Sequence, residues 1–292
     1  VLKNAGSTVE FILDRSFGNK WTRFDGPDRN SVLNIGHLFS FLEENPDVQA
    51  LSSHQLRYPK PAREGYVFFD MFFVRDPIDR IYSMYKFFKR IPESDDPLSD
   101  LAKANDLAGY IAGMLADFPH YINDMQVNCL ANGGTYIRPP GKHDLDAATA
   151  VLEKAAVPCV VDRFNQSWIA AQYFLRPVFP GIDCRYVPHN TSSEYNTTLE
   201  ERLHRVRAAC GDKLYNQLLA LNVLDTQLVD RVRAEVARRF HLVPDHKQRL
   251  ERLESELRMI LAEMDAKHNE QNVLNHDRAS VAEEEPEFSE NR

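Results

Sequence analysis

The sequence has few cysteines and no long apolar run, the features that are typical of disulfide-bonded, metal-binding or membrane-spanning chains. Its four cysteines, among 292 residues, lie far apart and form no CxxC pair, so no disulfide framework or zinc site is indicated. We expect reduced, mostly buried thiols. No apolar run approaches the ~20 residues that a membrane span needs. Because no targeting segment is visible, we expect a cytoplasmic protein, the alternative being a Golgi protein whose membrane anchor precedes Val1.

Positive charge is also scarce. The chain has 35 lysines and arginines against 43 aspartates and glutamates, which gives a formal charge of −8. This balance argues against the broad basic face that nucleic acids require, so we expect no nucleic-acid partner. A local cluster of cations at a helix N-terminus can still bind phosphate on a net-negative protein.

The order of the apolar segments predicts an α/β fold. Mostly apolar segments at 66–74, 157–161 and 184–187 are typical of short buried strands, and the segments between them have helical spacing. Strands and helices that alternate in this way form a mainly parallel sheet. The hydrophobic content of 43% is that of an ordinary globular protein.

The C-terminal region differs in composition from the rest of the chain. Leucines at heptad-like spacing make residues 244–270 a predicted amphipathic helix. This helix either lies on the protein body or forms a coiled-coil seam, which would allow a homodimer. Residues 271–292 carry five glutamates and few apolar residues, so we predict a disordered acidic tail. Residues 1–243 therefore form the main predicted domain.

The first candidate site is the loop Lys3-Asn4-Ala5-Gly6-Ser7-Thr8, at the start of the first predicted helix. Backbone N–H groups at such a helix start point toward one spot, and Lys3 adds a positive charge that favours phosphate. The loop is not the GxxxxGK[ST] loop of nucleotide triphosphatases, because its lysine precedes the glycine. Alone it is a weak signal, since an ordinary capped loop has the same composition.

The second candidate site follows the apolar run at 66–74. It reads RDPIDRIYSMYKF over residues 75–87. Arg75 stands at the end of a predicted strand, where open α/β sheets bind ligands, and the Asp-Pro pair predicts the start of a helix. A guanidinium from Arg75 and a hydroxyl from Ser83, both near a helix N-terminus, suit a second phosphate group.

Together the two motifs resemble those of sulfotransferases that use 3′-phosphoadenosine 5′-phosphosulfate (PAPS). The first resembles the 5′-phosphosulfate loop of this family. The second resembles its 3′-phosphate motif, in the form found in the carbohydrate branch that includes heparan 2-O-sulfotransferases and bacterial relatives. The resemblance covers residues 1–243. It implies a three-layer α/β sandwich of the P-loop nucleoside-triphosphate-hydrolase type and no metal ion.

The resemblance also implies a role for each motif residue. Lys3 contacts the phosphosulfate and stabilises charge on the leaving phosphate. The loop residues that hold this phosphate are Ala5, Gly6, Ser7 and Thr8. Arg75 and Ser83 bind the 3′-phosphate, with Arg80 in support. Two further residues near the cofactor are Asn190 and Ser192. The reaction implied is transfer of a sulfuryl group to an acceptor hydroxyl, which we expect to belong to a carbohydrate.

Such a reaction needs a general base, because a neutral hydroxyl is a poor nucleophile. His54 lies 21 positions before Arg75. The base histidine of the heparan 2-O branch has a similar separation, which favours His54. His37 follows Gly36 and so has the Gly-His sequence of that branch's histidine segment, but it lies further upstream. Glu10, in the first predicted helix, is a weaker candidate because acids in a first helical turn are usually solvated.

Two alternative functions share the predicted fold. A nucleotide kinase would need a GxxxxGK[ST] loop and carboxylates for magnesium, and the sequence shows neither arrangement. The second alternative is a catalytically inactive scaffold. The presence of Lys3, Arg75 and Ser83 together argues against it.

Overall fold

Helices predominate in the part of the chain that the structure describes, with four short strands among them. This computed structural model describes residues 3–27, 31–92, 96–134, 138–186 and 197–263. The strands are β1 (Trp21–Arg23), β2 (Ala50–Ser52), β3 (Met71–Val74) and β4 (Val157–Val160). The helices are α1 (Gly6–Phe17), α2 (Ile35–Glu44), α3 (Pro77–Arg90), α4 (Pro97–Ala104), α5 (Leu107–Asp117), α6 (Met125–Asn132), α7 (Lys142–Lys154), α8 (Phe164–Leu175), α9 (Leu199–Ala220), α10 (Val223–His241) and α11 (246–263).

The described strands form two parallel pairs. β1 pairs with β2, with Trp21 opposite Ala50, and β3 pairs with β4, with Met71 opposite Val157. The segments of β3 and β4 fall in predicted strands, whereas those of β1 and β2 do not. The complete three-layer sandwich and its relation to the P-loop type remain sequence-based predictions.

The apolar run at 66–74 forms a strand only in its last part, over Met71–Val74. Tyr66 and Phe68 instead stack on each other, with ring centroids 5.9 Å apart, and both contact Phe39 of α2. These aromatic side chains pack on a helix, so the first half of the run reflects packing rather than strand pairing.

The predicted strand at 184–187 is not formed over residues 184–186, and Val187 lies outside the described residues. Cys184 and Tyr186 are nevertheless buried in the core. The apolar residues of this segment therefore indicate burial. A short apolar segment does not by itself distinguish a strand from other buried structure.

Helices cover both faces of the β3–β4 pair. On one face, Phe73 packs in a cluster with Ile12 of α1 and residues of α8. On the other face, Phe72 and Val74 pack in a cluster with residues of α6, α7 and α10. Successive strand residues point to opposite faces, so a strand covered on both sides is apolar throughout. The end of β3, where Arg75 follows, is thereby held between layers of helices.

The C-terminal helix α11 lies on the protein body. Leu253 and Leu257 are 4% and 2% exposed and belong to the same core cluster as α1 and α8. Burying each leucine contributes roughly 1.5–3 kcal/mol. Over 246–263 the structure thus shows one of the two arrangements considered for the predicted helix, with the leucines packed inside the chain. A homodimer through this helix remains a prediction, and the predicted tail at 271–292 lies outside the described residues.

All four cysteines fall in the described ranges and are free thiols, of which Cys159 and Cys184 are buried. Among the described helices, none combines the length and the apolar character that crossing a membrane requires. Within the same residues, no group of histidine, cysteine, aspartate and glutamate side chains is arranged to hold a metal ion.

Candidate active site

The loop before α1 has a strained backbone. Lys3 and Ala5 have φ angles of 66° and 65°, in the left-handed region that non-glycine residues rarely occupy. Such a conformation costs about 1–3 kcal/mol per residue and is often found at ligand sites. The Ala5 carbonyl accepts hydrogen bonds from the N–H groups of Thr8 and Val9, each at 3.1 Å. The loop therefore turns sharply into α1, whose first residue is Gly6.

A buried glutamine joins this loop to the end of β3. The Gln126 side-chain carbonyl accepts from Asn4 Nδ2 at 3.0 Å and from the Arg75 backbone N–H at 2.9 Å. Its amide group donates to the Arg75 carbonyl at 2.8 Å. Asn4 also donates to the Phe73 carbonyl at 2.7 Å. Because Gln126 is fully buried, these bonds are shielded from water and fix the two motifs relative to each other.

Arg75 also contacts the loop directly. Its Nη1 donates to the Lys3 carbonyl at 3.2 Å, and its Nε pairs with Asp79 at 2.8 Å. Asp79 also accepts from Arg202 of α9 at 2.8 Å. Burial alone would raise the pKa of Asp79, but Arg75 and Arg202 hold it below its usual value. Asp79 is therefore ionised and orients both guanidinium groups.

Helix α3 brings the second motif to the same place. It begins at Pro77 because the Asp76 side chain caps its first N–H groups at 3.0 and 3.1 Å. Ser83 is half-buried on this helix. It lies one turn before Phe87, whose ring centroid is 3.8 Å from the Lys3 ammonium. The two sequence motifs therefore meet on one side of α3.

Lys3 lies among other cations. Partial burial, followed by the charges of Arg75 and Arg90, lowers its pKa to about 8. Like charges held together in this way favour an anion, which relieves their repulsion. At neutral pH most Lys3 side chains still carry a proton, so the ammonium can contact a phosphate.

Arg80 lies in the interior and not on the surface that faces this cation cluster. It is fully buried, and its Nη2 donates to the Tyr121 carbonyl at 2.6 Å. Burial lowers its pKa, and the charge of the buried Asp225 opposes this effect. Asp225 accepts the N–H groups of Gln126 and Val127 at 3.1 and 2.8 Å. Arg80 therefore belongs to the buried network beneath the two motifs.

His54 follows β2 and faces the start of α1. Its Nε2 is 3.8 Å from the position that a Cβ on Gly6 would occupy. Its Nδ1 is 3.3 Å from Asp25 Oδ2, and its backbone N–H donates to Asp25 Oδ1 at 2.7 Å. The imidazole is 53% exposed. A ring nitrogen is thus accessible beside the candidate phosphosulfate loop.

The other two base candidates make different contacts. His37 is exposed and belongs to the capping box of α2, whose N-cap residue is Asn34: the His37 backbone N–H donates to Asn34 Oδ1 at 3.0 Å, and the Asn34 N–H donates to His37 Nδ1 at 3.3 Å. Glu10 forms an ion pair with Arg23 and accepts from Ser52 Oγ at 3.1 Å. His37 therefore stabilises a helix end, and Glu10 joins α1 to β1 and β2.

A large cleft borders the site. Its volume is about 1710 Å³, and its lining includes Asn4, Gly6 and His54. Most small-molecule pockets have volumes of roughly 300–1,000 Å³. His54 therefore lies on a cleft that a second molecule can enter.

The sequence did not indicate two residues of this site. Asp25 stands in a Phe-Asp-Gly segment whose composition predicts only a turn. Arg202 is one of several charged residues in the first turn of α9. Only the fold brings these two side chains to the motifs. Asn190 and Ser192, which the resemblance places near the cofactor, lie outside the described residues.

Comparison with known proteins does not assign a function to this chain. No protein-family model matches this chain. The chain is similar to an uncharacterised protein of Archaeoglobus fulgidus, with 27% identity over 239 residues that cover 79% of this chain and 92% of the archaeal protein. This similarity carries no activity over to the present chain.

Proposed function

We propose that this protein is a PAPS-dependent sulfotransferase that acts on an acceptor hydroxyl. The contact between the two motifs carries the proposal. Arg75 donates to the Lys3 carbonyl at 3.2 Å, and the Lys3 ammonium lies 3.8 Å from the ring centroid of Phe87. One ribose that bears a 3′-phosphate and a 5′-phosphosulfate can reach both motifs only if they lie this close together.

The charges of the site suit such a donor. Lys3, Arg75 and Arg90 are close enough for their repulsion to affect the pKa of Lys3. Lys3, the backbone N–H groups from Ala5 to Ser7 and the Thr8 hydroxyl would hold the phosphosulfate, and Arg75 with Ser83 would hold the 3′-phosphate. The proposal includes no metal ion, because Lys3 and the helix N-terminus supply the positive charge.

In the proposed reaction, the acceptor oxygen bonds to sulfur while the bond between sulfur and the leaving phosphate oxygen breaks. His54 Nε2 takes the proton of the acceptor hydroxyl as the new bond forms. Lys3 stabilises the negative charge that develops on the leaving oxygen. The position of Nε2 beside Gly6 supports this assignment, because it puts the base next to the loop that holds the leaving group.

The acceptor in this proposal is a carbohydrate or a glycan-like molecule, on the resemblance to the carbohydrate branch. The cleft of about 1710 Å³ that reaches His54 supports an acceptor larger than a single small molecule. Activity in the cytoplasm is part of the same proposal. Transfer of labelled sulfate to sugar, lipid and phenolic acceptors, compared in parallel, would identify the acceptor class.

Nucleotide preference tests the donor assignment. We expect 3′,5′-bisphosphoadenosine to raise the Tm, because a ligand that binds only the folded state adds about 2.7 kcal/mol of stability at 100 times its Kd. ADP lacks the 3′-phosphate and should give a much smaller shift. Ser83→Ala is the matched variant, and in this variant the Tm shifts produced by the bisphosphate and by ADP should be closer to each other.

Two results of that experiment would contradict the donor assignment. Stabilisation by ATP with magnesium, but not by the bisphosphate, would favour a nucleotide kinase. A Tm that responds to none of these nucleotides would favour the scaffold.

The lowered pKa of Lys3 predicts that nucleotide affinity depends on pH. Below about pH 8 the side chain is protonated and attracts phosphate, and above it the free protein loses this charge. Affinity for the bisphosphate should therefore fall as pH rises through about 8, by up to about tenfold per pH unit. Titration calorimetry from neutral pH upward measures this change. Lys3→Ala should bind weakly and with a flat profile, and a flat profile in the unmodified protein would contradict the prediction.

A further inference from the structure

Parallel pairing of β1 and β2 brings Asp25 beside His54. Arg23, the last residue of β1, lies opposite Ser52, the last residue of β2. Asp25 and His54 each stand two positions past these strand ends. Because parallel strands end at the same edge of a sheet, the two residues following them come together at that edge.

The Asp25 carboxylate is held in a fixed orientation toward the imidazole. Its Oδ1 accepts the His54 backbone N–H at 2.7 Å and Ser53 Oγ at 3.2 Å. These contacts leave Oδ2 at 3.3 Å from His54 Nδ1. Arg57 donates to the His54 carbonyl, so the backbone is held on both sides of this residue. The carboxylate therefore faces Nδ1 and not the exposed Nε2.

A carboxylate beside Nδ1 selects one form of the neutral imidazole. Oδ2 can only accept a hydrogen bond, so the ring carries its hydrogen on Nδ1 and keeps a lone pair on Nε2. Nε2 is the nitrogen beside Gly6. A general base needs its lone pair on the nitrogen that meets the reacting proton.

We infer that Asp25 is a positioning residue, which holds His54 in the Nδ1–H tautomer with Nε2 directed at the start of α1. The effect of Asp25 on catalysis rests on the proposed function, whereas its effect on the tautomer of His54 does not depend on that function. Asp25 touches neither the donor nor the acceptor in this scheme. It acts through His54 and also stabilises the imidazolium that forms when Nε2 takes a proton.

Asp25→Asn tests this role. Asparagine retains an oxygen for the His54 and Ser53 donors but can place an NH₂ group against Nδ1, which favours the opposite tautomer. We expect kcat to fall about 10²-fold, within the range of general-base catalysis, with little change in the KM for donor or acceptor. Asp14→Asn, at an exposed carboxylate of α1, is the matched control and should leave both parameters unchanged.

The tautomer is measured separately by ¹⁵N NMR of the imidazole nitrogens, with the His54 signals assigned from their loss in His54→Gln. The unmodified protein should show a protonated Nδ1, and Asp25→Asn should shift the population toward a protonated Nε2. A protonated Nε2 in the unmodified neutral ring would overturn the inference, whether or not the variant folds. So would a fall in kcat with an unchanged tautomer, which would leave Asp25 a purely structural role. A tautomer that changes as expected, in a protein that transfers no sulfuryl group, would uphold the role of Asp25 and reject the proposed function.

Discussion

His54→Ala is expected to lower the rate of sulfuryl transfer by about 10²–10⁴-fold, the range over which a general base acts. The imidazole is half-exposed and its ring contact is with Asp25, so its removal leaves the core intact. Binding of 3′,5′-bisphosphoadenosine should be unchanged, because Lys3, Arg75 and Ser83 remain. Single-turnover transfer of labelled sulfate, beside calorimetric titration of the nucleotide, separates the two effects.

His37→Ala is the matched control for this experiment. His37 is also exposed, and the Asn34 cap of α2 uses the His37 backbone N–H, which alanine keeps. The substitution removes the side-chain bond to the Asn34 N–H, so it should cost little stability and no activity. A loss of turnover in His37→Ala, together with normal turnover in His54→Ala, would show that the base was assigned to the wrong histidine. Equal and small effects in both variants would remove the histidine base from the mechanism.

Elements with a strong local signal could be predicted from the sequence. The Asp-Pro pair predicts the start of α3, and the structure confirms it, because Asp76 caps the helix and Pro77 occupies its first position. The apolar run at 157–161 also predicts a strand, which the structure has as β4, whereas β1 and β2 gave no such signal. The extent of the strand at 66–74 could not be predicted, because Tyr66 and Phe68 have high strand propensity but pack against α2.

The residues of the candidate site also differ in how far the sequence predicts them. A motif can reveal Lys3 and Arg75, because a cation near a helix start has a recognisable local pattern. Gln126 bonds to both motifs although it lies far from either of them along the chain. Asp25 gave no signal, since its role depends on a strand register that pairs residues 29 positions apart. Contacts between distant segments depend on packing, which a local pattern does not encode.

Lys3→Ala is expected to lower kcat by about 10²–10³-fold, the cost of removing one group that stabilises developing charge. The contact with Arg75 uses the Lys3 backbone carbonyl and survives the substitution, so the loop keeps its anchor. Lys3→Arg restores a positive charge with a different shape and should recover part of the lost rate. Lys20→Ala, at an exposed lysine just before β1, should have no effect.

The role of Lys3 follows from whether Lys3→Ala changes kcat or the affinity for the donor. If Lys3 only attracted the nucleotide, its loss would raise the donor KM and leave kcat unchanged at saturation. Charge on the leaving oxygen grows only as the bond to sulfur breaks, so a group that meets this charge must change kcat itself. An unchanged kcat at saturating donor would therefore remove Lys3 from the chemical step and leave it a binding residue. A fall in kcat that Lys3→Arg partly restores would place the charge of this side chain at the leaving oxygen.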